Sequence, residues 1–352
     1  MIAASTCPAS CPPRARGRAL ASSLLAGFAL WLIAMPAHAQ FDYSFYGVAD
    51  LSYGRFENSG FVRTHRFNSN SLSATFVGVN ASYGFENGWT PGITLESFFR
   101  FQDTKFGRND DDPTFSRNAF VSLTHRDYGT LRAGRIQTLL FNTTTRFNAL
   151  GNSVGFSPAV RHIFAVGNLI GVQGDFYWNQ AIGYTTPNFD GITGSVIAAR
   201  GRENNPGHLT AGNLIVAKGV LAGSLSVQRV DIANGINDPI LEDTVQVGAS
   251  YNIGLAKLFG QYTHIRDRGL EVKSNIVSTG VSVPFGPGAV HAQIATSKAD
   301  GLAVSRKQTT TSAAYVYAYD SLTDFYVIAM NDRVRGQTRG FSAAFGVRYT
   351  FN

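Results

Sequence analysis

From Gly340 to Phe351 the chain alternates without a break. Phe341, Ala343, Phe345, Val347, Tyr349 and Phe351 take one side, while Gly340, Ser342, Ala344, Gly346, Arg348 and Thr350 take the other. A period of two is that of an extended strand with one apolar and one polar face. About 9–11 residues of tilted strand cross a bilayer. The same pattern recurs at 43–54, 71–83, 90–102, 114–125, 130–137, 175–185, 192–200, 211–218, 222–230, 243–252, 255–264, 274–283, 289–298, 308–319 and 322–331. With 340–351 these make sixteen predicted strands.

The segments between strands alternate in length. Longer ones lie at 55–70, 103–113, 138–174, 201–210, 231–242, 265–273, 299–307 and 332–339, and tight ones at 84–89, 126–129, 186–191, 219–221, 253–254, 284–288 and 320–321. Short turns on one side and longer loops on the other are the mark of an up-and-down barrel in an outer membrane. An even strand number brings the first and last strands together on one side. Lipid requires that they pair, because an open edge leaves backbone groups with no water to satisfy them. Tyr315, Tyr317 and Tyr319 sit at a strand end, where an aromatic girdle meets the membrane surface. The expected fold is therefore all-β, a transmembrane antiparallel 16-stranded β-barrel. A soluble sandwich or propeller also has many short strands, but the strand lengths argue against it.

Ahead of the strands stands an export signal. Arg14, Arg16 and Arg18 form a positive region, Ala19 to Ile33 an apolar run of about fifteen residues, and Ala37-His38-Ala39 a small-x-small cleavage site. The expected organisation is a cleavable signal at 1–39 and a barrel at 40–352. Cleavage removes Cys7 and Cys11, the two cysteines of the chain, and so excludes thiol chemistry and disulfides from the remainder. Three of the 30 basic and none of the 23 acidic residues leave with the signal, which sets the mature chain at net +4. No basic run points to nucleic acid. No mature segment approaches 18 consecutive apolar residues, so helical membrane spans are not expected. Neither a nucleophile elbow nor a histidine pair at metal-ligand spacing is present, and no enzyme activity, cofactor or metal is expected. Asp110-Asp111-Asp112 reads as a solvated charge cluster, the alternative being a divalent cation shared with lipopolysaccharide.

The chain resembles the trimeric general porins of Gram-negative bacteria, of the β-proteobacterial branch. The residues that carry the resemblance are Gln40 to Gly47 in the opening strand, Ser116 to Leu123 with its "R-x-A-φ-V" pattern, and Gly129 to Gln137 with its "G-R" followed by an inserted Ile136. The closing aromatic strand is similar to the family's signal for the barrel-insertion machinery. The resemblance implies a homotrimer in the outer membrane, in contact with lipopolysaccharide and other outer-membrane lipid. It also implies a water-filled pore for small hydrophilic solutes and ions, narrowed by a third loop that folds inward, here 138–174. Phe141, Phe147, Phe156 and Phe164 in that loop argue that it packs against something.

There are three departures from the family pattern. Ala74 stands where an arginine is usual in the second strand, and the chain ends Phe351-Asn352 instead of on the aromatic. The loop, moreover, carries no Asp or Glu between Ile136 and Gly174, but does carry Arg146, Arg161 and His162. Arg117 and Arg135, on the matching motifs, are the expected wall arginines of the constriction. Arg132 has the opposite parity from Arg135, so only one of them faces the lumen unless a bulge intervenes, and Arg135 is the one expected there. Arg100 shares a face with Glu96, and the two are expected to pair. Pore radius and fixed charge do the work in such a channel, so an acid-free loop predicts passive diffusion that favours anions. The alternatives are a substrate-specific channel and a non-conducting barrel acting as an adhesin or anchor.

Overall fold

Along strand after strand of the computed structural model, small or polar side chains point in and apolar ones point out. The structure describes residues 40–164, 170–202, 205–232, 240–302 and 304–352. The expected signal with both cysteines, and parts of the 138–174, 201–210, 231–242 and 299–307 connections, lie outside the described residues. Among the described residues the strands are β1 (Gln40–Phe56), β2 (Thr64–Ser69), β3 (Phe76–Gly84), β4 (Trp89–Arg100), β5 (Lys105–Phe106), β6 (Ala119–His125), β7 (Gly129–Gln137), β8 (Tyr177–Thr185) and β9 (Ile192–Arg202). There follow β10 (Asn205–Lys218), β11 (Leu221–Ile232), β12 (Ile240–Asn252), β13 (Lys257–Asp267), β14 (Val272–Phe285), β15 (Gly288–Asp300), β16 (Ser305–Ala318), β17 (Thr323–Val334) and β18 (Gly340–Phe351).

All belong to one antiparallel sheet that closes on itself. β1 pairs with β18 from Gly47↔Phe351 to Arg55↔Ala343 and also with β3. The two short strands are additions. β2 folds back on the end of β1 from Leu51↔Ser69 to Phe56↔Thr64, and β5 on the end of β4. The remaining sixteen make the barrel wall, in the order expected.

The faces divide as the alternation predicts. Phe345 is 62 % exposed and Ile182 61 %, whereas their inward neighbours Ala344 and Ala181 are 7 % and 1 % exposed. A belt of outward Val, Ile, Leu and Phe would be untenable in water at this extent, and is what hydrocarbon requires. Rings gather at the tight-turn end, where Trp89 stacks on Tyr128 with centroids 5.8 Å apart and Tyr319 meets Phe325 edge-on at 5.7 Å.

Three differences from the expectation have a clear physical reason. The stretch 71–75 is not strand, because the buried Asp50 carboxylate of β1 accepts the amides of Ser71 (3.1 Å), Leu72 (3.2 Å) and Ser73 (3.0 Å). Those bonds turn the chain away from the ladder. Strands β13 to β17 run further outward than predicted, so their outer connections shrink to a few residues. Apolar alternation ends where lipid ends, while backbone pairing continues into water. Thirdly, β7 holds a bulge. Its register against β8 shifts between Gly134 and Ile136, with Gly134 at φ +140°.

A Cβ on Gly134 would stand 2.3 Å from the carbonyl oxygen of Ala119. Gly134→Ala is therefore expected to cost about 1–3 kcal/mol of barrel stability, seen as a lower temperature at which the folded band is lost on unheated gels. An unchanged transition would show that the bulge tolerates a side chain.

Candidate functional site

The 138–174 connection, expected as an inward-folded loop, contains two short helices. The Thr138 hydroxyl accepts from Phe141 N at the start of α1 (Leu139–Arg146). Ser157 caps α2 (Pro158–Ile163), and Pro158 occupies its first turn. At eight and six residues the helices are too short for a helical period to show in the sequence.

Leu140, Phe141, Thr143 and Thr144 are buried against the wall, while Asn142, Thr145 and Arg146 remain on the open side of α1. Polar inward residues of the wall hold the loop. Thr143 Oγ1 lies 2.9 Å from Gln246 Oε1 and 2.9 Å from Ser226 Oγ. Gln261 Nε2 donates to Thr144 O at 2.8 Å, and Ser312 Oγ to Phe156 O at 2.7 Å. His162 Nε2 meets Thr310 Oγ1 at 2.7 Å. Phe147 and Phe156 are 1 % exposed and Ile163 0 %, so the expectation that the loop packs is met inside the lumen.

What remains open is a cavity of about 1170 Å³ whose charged lining is Arg66, Arg100, Arg108, Arg117 and Arg161 against Glu57 and Asp175. Asn142 and Thr145 of α1 line it as well. Arg146 follows Asn142 at i+4, on the same side of the helix.

The geometry corrects two expectations. Arg100 does not pair with Glu96. It binds Asp110 at 2.6 Å and Asp103 at 3.2 Å, because β4 ends at Arg100 and its side chain turns into the following loop. Glu96 instead binds Arg117 Nη1 at 2.6 Å, and accepts from Tyr46 OH at 2.7 Å and from Asn118 Nδ2 at 2.6 Å. The Arg117 guanidinium stacks 3.8 Å from the Phe76 ring centre. Secondly, the bulge gives both Arg132 and Arg135 inward positions, yet Arg135 does not line the cavity. It is 6 % exposed, donating to Ser116 O at 2.8 Å and Asn179 Oδ1 at 2.7 Å, and lies 3.5 Å from Asp175.

Sequence reading missed Arg108. Its guanidinium grips Asp112 twice at 2.8 Å and also binds Asp175, Nη2 to Oδ2 at 2.9 Å. Burial alone would lower the pKa of Arg108, but these two carboxylates outweigh it and raise the value. Asp110 is pulled down to about 2 by Lys105 and then Arg100. Asp110 and Asp112 of the acid triplet are thus ion-paired and not merely solvated, while Asp111 is exposed. Asp175 lies one residue beyond the acid-free stretch, so no reading confined to the loop would find it. Arg66, Arg146 and Arg161 have no carboxylate within 4.0 Å among the described residues. Arg161 donates to Asn58 Oδ1 at 2.8 Å and Gly155 O at 3.0 Å, and Arg66 lies 4.9 Å over the Phe56 ring.

A sequence-family model described as Gram-negative porin matches residues 21–337. Outer membrane porin protein 32 of Delftia acidovorans is 26% identical over 305 residues, spanning 82% of this chain and 83% of its own. The solved anion-selective porin from Comamonas acidovorans aligns with a TM-score of 0.75 at 23% identity, over 89% of this chain and 100% of that one. The trimer form of in-vitro folded OmpT from Vibrio cholerae aligns with a TM-score of 0.65 at 13% identity, over 88% and 99%. At these identities the two structures speak to the fold.

The loop's attachment carries a pH dependence. Burial lowers the pKa of His162 from 6.5 to about 4, with Asp332 opposing and Arg161 and Arg306 reinforcing the shift. Its Nδ1 has no partner among the described residues, so a proton there is buried without an acceptor. A released loop takes up that proton near pH 6.5 and an attached one does not, so attachment is fully favoured above 6.5 and weakens as pH falls toward 4. Single-channel closures should become more frequent across that window, and His162→Gln should flatten the dependence. Identical pH profiles for the two proteins would refute this.

Proposed function

The chain belongs to the Gram-negative porin family, and on that premise we propose that it is a homotrimeric pore that passes anions in preference to cations, with its constriction built by 138–174. As a porin it is an outer-membrane channel for passive diffusion of small hydrophilic solutes. The observation that supports anion preference is the charge left over at the constriction. Arg100, Arg108 and Arg117 are matched by carboxylates, but Arg66, Arg146 and Arg161 are not, and the loop supplies no acid. In an opposed acid-base constriction the loop acids would attract cations, whereas here both loop and wall present guanidinium groups. Fixed positive charge in a narrow aqueous path raises the local anion concentration. The anion-selective porin from Comamonas acidovorans supports the same reading, and the trimer form of OmpT supports the assembly. We read residues 1–39 as an export signal removed after Ala39, so the protein recovered from outer membranes should begin at Gln40; terminal mass analysis giving any other start would refute this.

A reversal-potential measurement in a planar bilayer under a KCl gradient tests the selectivity. Wild type should give the sign of anion preference. Arg66→Glu with Arg146→Glu, both exposed, should shift the permeability ratio severalfold toward cations, since one charge at about 4 Å in water is worth about 1 kcal/mol. A cation-preferring wild type, or a double variant with unaltered potential, would overturn the reading.

A further inference from the structure

Polar groups are only part of what borders the passage beside the 138–174 loop. Phe98, Phe141, Phe164, Phe176 and Tyr177 border the same cavity of about 1170 Å³. Their rings form one connected strip. Phe164 meets Phe141 edge-on with centroids 5.3 Å apart, and Phe176 at 5.0 Å. Phe141 in turn meets Phe176 at 4.8 Å and Tyr177 at 6.4 Å, and Tyr177 meets Phe98 edge-on at 5.7 Å. Attachment of the loop does not require rings at the opening. Phe156, buried among Ala314, Tyr326 and Ile328 of the wall, serves that purpose without bordering the cavity.

A cation stands at one end of the strip. Arg161 and Phe164 are three residues apart at the end of α2, the spacing that sets two side chains next to one another on a helix. Arg161 also borders the cavity, and no carboxylate lies within 4.0 Å of it among the described residues. Its Nη1 and Nη2 donate to Gly155 O and Asn58 Oδ1, which uses two of the five N–H donors of a guanidinium. A second guanidinium, that of Arg108, lies 5.7 Å from the Phe176 ring centre and 5.9 Å from that of Phe98. Its charge is matched by Asp112 and Asp175, so the unmatched charge is at the Phe164 end.

We propose that this strip binds carboxylates that carry an aromatic ring, with the carboxylate at Arg161 and the ring against Phe164 and Phe176. The inference rests on the anion preference proposed above and narrows it to a class of solute. Positive charge by itself draws in any anion. An inorganic anion gains nothing from the rings, and an aliphatic acid gains only apolar contact. An aromatic acid gains in addition the edge-to-face and offset attraction between rings. A largely apolar concave surface with a few placed polar groups is the common form of a small-molecule site.

Planar-bilayer recordings in KCl at pH 7, where carboxylic acids are ionised, test this with benzoate, cyclohexanecarboxylate and neutral benzamide added in turn. An organic anion resident in the passage lowers the chloride current, so the concentration giving half the full block reads its affinity. In wild type that concentration should be about threefold or more lower for benzoate than for cyclohexanecarboxylate, and benzamide should not block. Phe164→Leu/Phe176→Leu, which keeps apolar bulk, should make the two acids equal. Arg161→Gln should weaken block by both acids and leave their ratio as it is in wild type. Equal block by the two acids in wild type, benzamide blocking as well as benzoate, a ratio that survives the leucine substitutions, or block untouched by Arg161→Gln would each overturn the proposal. The comparison of acids on wild type decides the matter even where a variant fails to fold. The KCl reversal potential of the same channels reads anion preference separately. With that preference present, equal block by the two acids removes only this site, whereas a cation-preferring potential removes the reading on which it rests.

Discussion

In hydrocarbon a backbone amide has no water to bond, and each unpaired group costs several kcal/mol. That constraint governs this molecule more than any side chain does. Closure between β1 and β18, nine residue pairs from Gly47↔Phe351 to Arg55↔Ala343, removes the last open edge. Once the sheet is closed, two faces exist, one for lipid and one for water, and every inward side chain must suit a wet interior.

The polar interior then takes on a second task. Ser226, Gln246, Gln261, Thr310 and Ser312 would face water in an empty barrel, and instead they bind the inward-folded loop. The loop buries Phe156 and Ile163 among apolar patches of the same wall. Hydrogen bonds at the edges and apolar contact at the centre hold a long connection in one place inside a space that strands alone would leave wide. Asp50 extends this economy to the wall itself, using one carboxylate to gather three amides and the Tyr326 hydroxyl at 2.8 Å.

Within the proposed constriction, ion pairs decide which guanidinium groups are left without a carboxylate. Arg108 between Asp112 and Asp175, and Arg117 on Glu96, are neutralised locally. Pairs buried to this degree lose in desolvation much of what they gain in attraction, and their effect is to orient guanidinium planes along the wall. On the proposed reading the field comes from the arginines left over. Counting charges along the sequence therefore misjudges the site unless the pairing is known.

How much of this was legible in the chain depends on the range of the interaction concerned. Period-two alternation depends on one residue and its neighbours, so sixteen strands, their faces and their order could be read from residues such as Phe341 to Phe351. The loop's length and its lack of acids were equally plain. Pairing across strands was not. Arg100 shares a strand face with Glu96 but finds Asp110, and Arg135 reaches Ser116 and Asn179 from a bulge that only Gly134, flexible at φ +140°, hints at. The sequence by itself determined that a two-faced sheet must close in a membrane, because the backbone demands it locally at every residue. Which arginines stay free and which are cancelled were decided by tertiary structure, because register and loop docking join residues that are distant along the chain.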